Sequence, residues 1–145
     1  LTMDQIKSIN LDFLKNAYQN SINDGWLYFY GSSYESSITS QLIYHSDLCV
    51  SPGNIGLTAI HSLSFGTPVA SHNNFINQMP EVEAIIDGEN GFLFQENDAI
   101  DMANKIVLWF SNNPKVNKEI VRKIITEKYN PDNQLSIFKK HFSNG

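Results

Sequence analysis

The sequence is poor in cysteine, in positive charge and in long apolar runs. Cys49 is the one cysteine in 145 residues, so no internal disulfide can form. Inside the run DLCVS it reads as a small buried apolar side chain, which fits a reducing cytoplasm. No stretch of about 18 apolar residues is available to span a bilayer, and these residues contain no charged-then-apolar leader. Lys and Arg number 10 against 15 Asp and Glu, for a net charge of −5. Nucleic-acid binding needs a basic face and is excluded on that ground. The four histidines are scattered and, with a single cysteine, give no zinc-ligand spacing. There is no Asp-x-Asp pair, no Gly-x-x-x-x-Gly-Lys-Ser/Thr and no Gly-x-Gly-x-x-Gly, and Ser51 and Ser64 lack the flanking glycines of a nucleophile elbow.

What is present is the composition of one soluble globular domain, 41% hydrophobic and 17% charged, with neither repeats nor a linker. Ile6, Ile9, Phe13, Leu14 and Ala17 recur at helical spacing from about Asp4 to Gln19. Asn23-Asp24-Gly25 ends that helix, and the aromatic run WLYFY, Trp26 to Tyr30, predicts a first strand followed by the small-residue loop Gly31-Ser32-Ser33. A helix over Ser36 to His45, with Ile38, Leu42 and Ile43 inward, leads to Asp47–Ser51, read as a buried central strand. His45 reads as a dipole partner or surface residue. Pro52-Gly53-Asn54 stops the strand, and a helix runs from near Ile55 to Gly66, with Pro68 beyond it. Gly56 falls in the first turn of this helix, where glycine costs about 1 kcal/mol against alanine. Its use there points to a ligand approaching the backbone, at the positive end of the helix and the carboxyl end of a strand.

Val69–Ser71 predicts the next strand, and His72, Asn73, Asn74, Asn77 and Gln78 form a polar loop at its carboxyl end. Those amides suit sugar hydroxyls, and amide-rich loops are also common without a ligand. Pro80–Ile86 predicts a short helix and Phe92–Phe94 the fourth strand. Asn97 or Asp98 caps a helix whose apolar face is Ile100, Ala103, Ile106, Val107 and Phe110. Ile120, Ile124 and Ile125 mark another helix, and a last one follows Pro131. Short strands alternating with helices imply an α/β fold, a Rossmann-like parallel sheet with helices on both faces.

The wording GLTAIHSLSFGTPV followed by MPEVEAIIDGENGFLF resembles the donor-binding half of the group 1, or family 4, glycosyltransferases, which have the two-domain GT-B fold. Members carry a Glu, seven residues, a second Glu, then Ala-Met-Ala-x-Gly-x-Pro-Val, and later Leu-Pro-Glu-Val-Val with Asp-Gly-x-x-Gly. Gly56, Leu57, Gly66, Pro68, Val69, Pro80, Glu81, Val82, Asp87, Gly88 and Gly91 fall in register, and the loop between Val69 and Glu81 is about two residues longer than usual. Gly53 and His61 stand where the family has its two glutamates.

The resemblance implies that Asn54, Ile55 and Gly56 face the donor sugar, Leu57 and Thr58 the diphosphate, His61 the ribose, and Gly31, Ser32 and Ser33 the nucleobase. It identifies no catalytic residue here. His61 on a helix also has a purely structural reading, and Gly31–Ser33 also reads as a plain turn. The nucleotide-sugar is a substrate, with no cofactor and no metal expected, since helix dipole and amides take the diphosphate charge in place of an Asp-x-Asp metal. The implied partners are a nucleotide-sugar donor, a sugar or lipid-linked acceptor, and the chain's own N-terminal domain. That domain, together with the Arg–Lys pair that the family supplies, is expected upstream of Leu1, making 1–145 a single domain of a longer protein. The expected setting is cytoplasmic, with the full-length protein peripheral at the inner membrane face, and the wording SPGNIGLTAIHSL is similar to variants in bacterial surface-polysaccharide synthesis. Two other functions stay open: a nucleotide-sugar-binding partner subunit without turnover, suggested by the missing glutamates, and a nucleotide-sugar epimerase on the same fold.

Overall fold

The computed structural model describes residue 16 and residues 18–142. They belong to two compact units, one ending at Tyr34 and one beginning at Glu35. In the first, helix α1 is Gln19–Asn23. Most of the helix expected over Asp4–Gln19 lies outside the described residues. Trp26–Tyr30 is not a strand. The N–H groups of Trp26 and Leu27 turn back to the Ser21 carbonyl at 3.3 and 3.2 Å, while Trp26 and Tyr28 are 71% and 81% exposed. Aromatic β preference is a preference for packing on a covered sheet face; without a ladder partner or a cover it does not make a strand. The first of the four expected strands is therefore absent among the described residues.

The second unit opens with α2, Ser36–His45. Its last carbonyls are taken by side chains from other elements: Thr67 Oγ1 donates to Ile43 O at 2.6 Å and Lys118 Nζ to Tyr44 O at 2.6 Å. These bonds satisfy acceptors that a helix end leaves open. Ile38 and Ile43 are half-buried, whereas Leu42, expected inward, is exposed. Strand β1 is Cys49–Ser51, helix α3 Leu57–Ser64, and strand β2 Val69–His72. Gly66 closes α3 with a φ of 73°, and the Thr67 N–H returns to Ser62 O at 2.9 Å, a glycine-capped helix end. Short 3-10 turns at Phe75–Asn77 and Pro80–Ala84 follow, the second replacing the expected short helix. Strand β3 is Gly91–Phe94, and helices α4, α5 and α6 are Ala99–Asn112, Lys118–Lys128 and Pro131–Phe142. Of the two expected caps for α4, Asp98 serves, accepting from the N–H groups of Ile100 and Asp101.

The three strands pair in parallel in the order β1-β2-β3, with Cys49 opposite Val69 and Val69 opposite Gly91. Strand β2 is central and fully buried; β1, expected to be the buried centre, is an edge among the described residues, with Val50 37% exposed. An apolar run shows that a strand is covered, not how many neighbours it has. Side chains alternate between faces, so helices cover both. Val69 packs with Ile55, Ala59 and Leu63 around α3 and with Val121 and Ile124 of α5, while Ala70, Phe92 and Phe94 pack with Trp109 of α4. The inward stripe of α4 is Met102, Ile106 and Trp109; of the expected face Ile106 is inward as read, while Ile100, Ala103, Val107 and Phe110 are exposed. A helix this apolar offers several stripes, and Phe92, with its ring 5.6 Å from that of Trp109, selects the one that faces the sheet.

The outer edge of β3 is closed by its surroundings. Leu93 N–H bonds Asp87 Oδ1 at 2.9 Å, Leu93 O accepts from Lys105 Nζ at 2.6 Å, Gln95 N–H bonds Asp101 Oδ2 at 2.7 Å, and Gly91 O accepts from the Gly88 N–H at 2.8 Å. Gly91 itself lies hard against β2. A Cβ at this position would stand 1.9 Å from the Val69 carbonyl oxygen, whereas one at Gly88 meets nothing within 4 Å, although its φ is 79°. Gly91→Ala should therefore lower the unfolding free energy by about 3 kcal/mol in urea titration, and Gly88→Ala by about 1 kcal/mol, because the first changes packing and the second only backbone preference. Equal effects for the two would overturn this account of Gly91.

Candidate functional site

The site is built at the carboxyl end of the sheet from the loops after β1 and β2, with the end of β3 beside them. Ile55 sends its side chain into the core, at 3% exposure, beside Ala59 and Leu63 one and two turns further along α3. With that anchor fixed, the chain enters the helix through Gly56, whose φ of 47° and ψ of −143° is a conformation that residues with a Cβ avoid. The N–H of Thr58 bonds Ile55 O at 3.2 Å and that of Ala59 bonds Gly56 O at 3.1 Å. The N–H groups of Gly56 and Leu57 have no partner among the described residues. Two free donors at a helix N-terminus form a place for an anion.

Of the residues expected at the donor, Asn54, Leu57, Thr58 and His61 are exposed. Leu57, Thr58 and His61 share one side of α3 at helical spacing, so this face presents them together. Ile55 does not present itself in the same way: its side chain is core and its N–H is held by Gln78 Oε1 at 3.1 Å. Thr58 offers its hydroxyl, since its N–H is engaged within the turn. Gly31, Ser32 and Ser33 lie in coil in the first unit, with Gly31 at φ 81°. Gly53 has open space where a Cβ would stand.

The amide-rich loop after β2 bonds chiefly to the protein itself. Gln78 Nε2 donates to Ser71 Oγ at 2.8 Å and to His72 O at 3.1 Å. Ser71 Oγ in turn lies 3.1 Å from Ser51 O and 3.3 Å from Gly53 O, so its proton reaches the end of β1. Asn74 Nδ2 and Asn77 Nδ2 donate to the two oxygens of Glu96 at 2.6 and 2.8 Å. His72, 2% exposed, accepts from the Asn74 N–H through Nδ1 at 3.3 Å, which places its proton on Nε2, 3.9 Å from Glu96 Oε1. Of the five polar residues expected to meet sugar hydroxyls, Asn73 alone has its side chain exposed and without a partner among the described residues.

Sequence reasoning missed Gln78 as a link and Glu96 altogether. Glu96 did carry a signal, as an acidic residue just past the carboxyl end of a strand. Beside this network a cleft of about 200 Å³ opens between Pro52, Phe94 and the start of α4 at Asn97–Met102. A larger cleft, about 340 Å³, lies away from it around Ser46, Gly66 and Lys118. Among the described residues no three His, Cys, Asp or Glu side chains are grouped to hold a metal ion, and no helix is long and apolar enough to cross a membrane.

Residues 10–130 match the model of the family described as glycosyl transferases group 1. The chain belongs to that family. Its fold is that of a GT-B C-terminal domain: the C-terminal domain of a glycosyl transferase group 1 family protein, LpcC, from Francisella tularensis superposes with a TM-score of 0.66 at 22% identity, over 86% of this chain and 66% of that one. This chain thus spans just under two thirds of the solved domain. A search of curated proteins returns no match. In this group 1 chain, the turn at Gly56 and the buried strand β2 are where the family motif and the hydrogen-bond network meet.

The carboxyl of Glu96 is lowered from its ordinary 4.5 by the hydrogen bonds from Asn74 and then Asn77, against partial desolvation. A carboxyl with a depressed folded-state pKa stabilises the fold above its unfolded pKa and loses that contribution as pH falls through the folded one. The side-chain NH2 resonances of Asn74 and Asn77 should therefore stay constant from neutral pH down past the ordinary carboxyl value of 4.5 and move together only below it. Glu96→Gln should abolish that transition. A transition that persists in the variant would assign it to another group.

Proposed function

We propose that this chain is the donor-binding part of a glycosyltransferase that moves a sugar from a nucleotide-sugar to an acceptor. The observation that carries it is the turn at Gly56, with two N–H groups at the N-terminus of α3 that have no partner among the described residues, in a chain of the group 1 family. In transfer, the bond between the sugar's anomeric carbon and the diphosphate oxygen breaks with its electron pair going to the diphosphate, a bond from the anomeric carbon to an acceptor hydroxyl oxygen forms, and the hydroxyl proton leaves to the diphosphate or to solvent. The leaving diphosphate gains charge, and preorganised N–H groups and a helix dipole stabilise charge without reorganising. The hydroxyl of Thr58 adds a neutral donor at the same place. His61, one turn along the exposed side of α3, has both a donor and an acceptor when neutral and suits the ribose hydroxyls. Gly31, Ser32 and Ser33 are proposed for the nucleobase, on the family resemblance alone.

The acceptor is proposed to be a sugar or lipid-linked sugar in bacterial surface-polysaccharide synthesis, at the cytoplasmic face of the membrane. The positive groups that complete the site, and the acceptor domain, are proposed to come from the longer protein. One specific observation favours a second reading, a subunit that binds nucleotide-sugar without turning it over: Gly53 and His61 replace both family glutamates, and Gly53 has no side chain to hold a donor hydroxyl.

Two substitutions test the donor site in the full-length protein. The wild type should gain about 2.7 kcal/mol of stability from its nucleotide-sugar at a hundredfold excess over Kd. Gly56→Val should remove that gain while the unliganded protein remains folded, since the space around Gly56 is open but its backbone conformation is denied to valine. Calorimetric binding equal to wild type would remove the site. His61→Ala should weaken binding by about 1 to 2 kcal/mol, for the free nucleoside diphosphate as for the nucleotide-sugar. Unchanged affinity with a lowered melting temperature would make His61 structural.

A further inference from the structure

Gln78 precedes the Pro-Glu-Val segment that matches the family motif, and nothing in that motif assigns it a role. In this chain it joins the two loops of the site. Its amide is used at both ends: Oε1 accepts from the Ile55 N–H at 3.1 Å, and Nε2 donates to Ser71 Oγ at 2.8 Å and to His72 O at 3.1 Å. The reverse orientation would set NH2 against an N–H at Ile55, so the three partners fix the amide one way round. Ser71 extends the link to the carbonyls of Ser51 and Gly53. The loop after β1 is thus held at Ser51, Gly53 and Ile55 by a single connected network.

The consequence falls on the next residue. Ile55 is fixed twice, by its side chain in the core and by its N–H on Gln78, and the chain enters α3 by reversing at Gly56 in a conformation that residues with a Cβ avoid. That reversal sets the direction of the unpartnered N–H groups of Gly56 and Leu57. We propose that Gln78 is the positioning residue of the diphosphate-binding turn, holding its two free donors in place before the nucleoside diphosphate end of the donor arrives. The proposal rests on the donor-site reading above. A network that is satisfied beforehand needs no reorganisation on binding, and affinity rises for that reason.

The experiment uses the full-length protein and titrates UDP, GDP and ADP, and separately uridine, guanosine and adenosine, by calorimetry. Gln78→Met keeps the length and removes every polar contact; it should weaken the nucleoside diphosphate that the wild type binds by about tenfold. The matching nucleoside should bind within about twofold of wild type, because its contacts lie elsewhere. Gln78→Glu loses both donated bonds and adds a negative charge beside the diphosphate, so its loss should be larger and should shrink with added salt. A merely structural role would weaken nucleoside and nucleoside diphosphate in proportion, or leave both unchanged in a less stable protein; either result overturns the proposal. If Gln78→Met does not fold, Ser71→Ala keeps the Ile55 bond, breaks the link to Gly53, and should show a smaller loss confined to the diphosphate. Wild type that binds none of the three diphosphates overturns the donor-site reading and this inference with it, whereas wild-type binding with unaltered variants overturns this inference alone.

Discussion

Complete burial of strand β2 is the constraint on which the second unit depends. Each of its four residues is covered on both faces and both edges, so every polar group it carries needs a partner inside the protein. Val69 and Ala70 meet this demand simply, with apolar side chains for the two helix layers and ladder bonds to β1 and β3. Ser71 and His72 do not. They bring a hydroxyl and an imidazole into a dry place, and the bonds that satisfy them run to Ser51 and Gly53 on one side and to Asn74 and Gln78 on the other, with Glu96 close to the imidazole. The functional edge of the sheet is thereby ordered from the inside: the loops of the site take their places because two buried polar residues need them there.

Most of the second unit was legible from punctuation and period. Pro52 to Asn54 stopped a strand, Gly66 and Pro68 ended a helix, and Asp98 and Pro131 opened two more, each by a local mechanism that does not depend on the rest of the chain. What sequence could not give was pairing. Trp26–Tyr30 has strand-forming side chains, but a strand is a relation between two segments, and among the described residues it has no partner. Leu42, Ile100, Val107 and Phe110 are apolar and outward for the same reason: periodicity shows that a helix has apolar stripes, and the neighbour decides which is used. The site divides likewise. Gly56, expected in the first turn of α3, stands instead just before Leu57 at a φ of 47°, where the backbone itself calls for a glycine, whereas Gln78 and Glu96 are ordinary polar residues whose bonds exist only once β1, β2 and β3 lie side by side.

Against the family motif, this chain has lost side-chain carboxylates and kept backbone. The glycines and prolines in register with the motif shape turns, and the turn at Gly56 keeps its free N–H groups without either glutamate. Backbone donors suit the part of a donor common to all nucleotide-sugars, while side chains distinguish one sugar from another.

The closed edge of β3 limits what this sheet can join. The outward carbonyls of Gly91, Leu93 and Gln95 and the outward N–H groups of Leu93 and Gln95 already have partners in Gly88, Lys105, Asp98, Asp87 and Asp101. At the other side, alternation of the parallel ladder turns the N–H and C=O of Val50 away from β2, where they have no partner among the described residues. A molecule with two open edges can add copies at both and grow into a fibre; one with a single open edge can be joined once. Strand addition between copies of this unit would stop at a pair, so a group of side chains whose local work is to finish one strand also denies the sheet a route to open-ended aggregation.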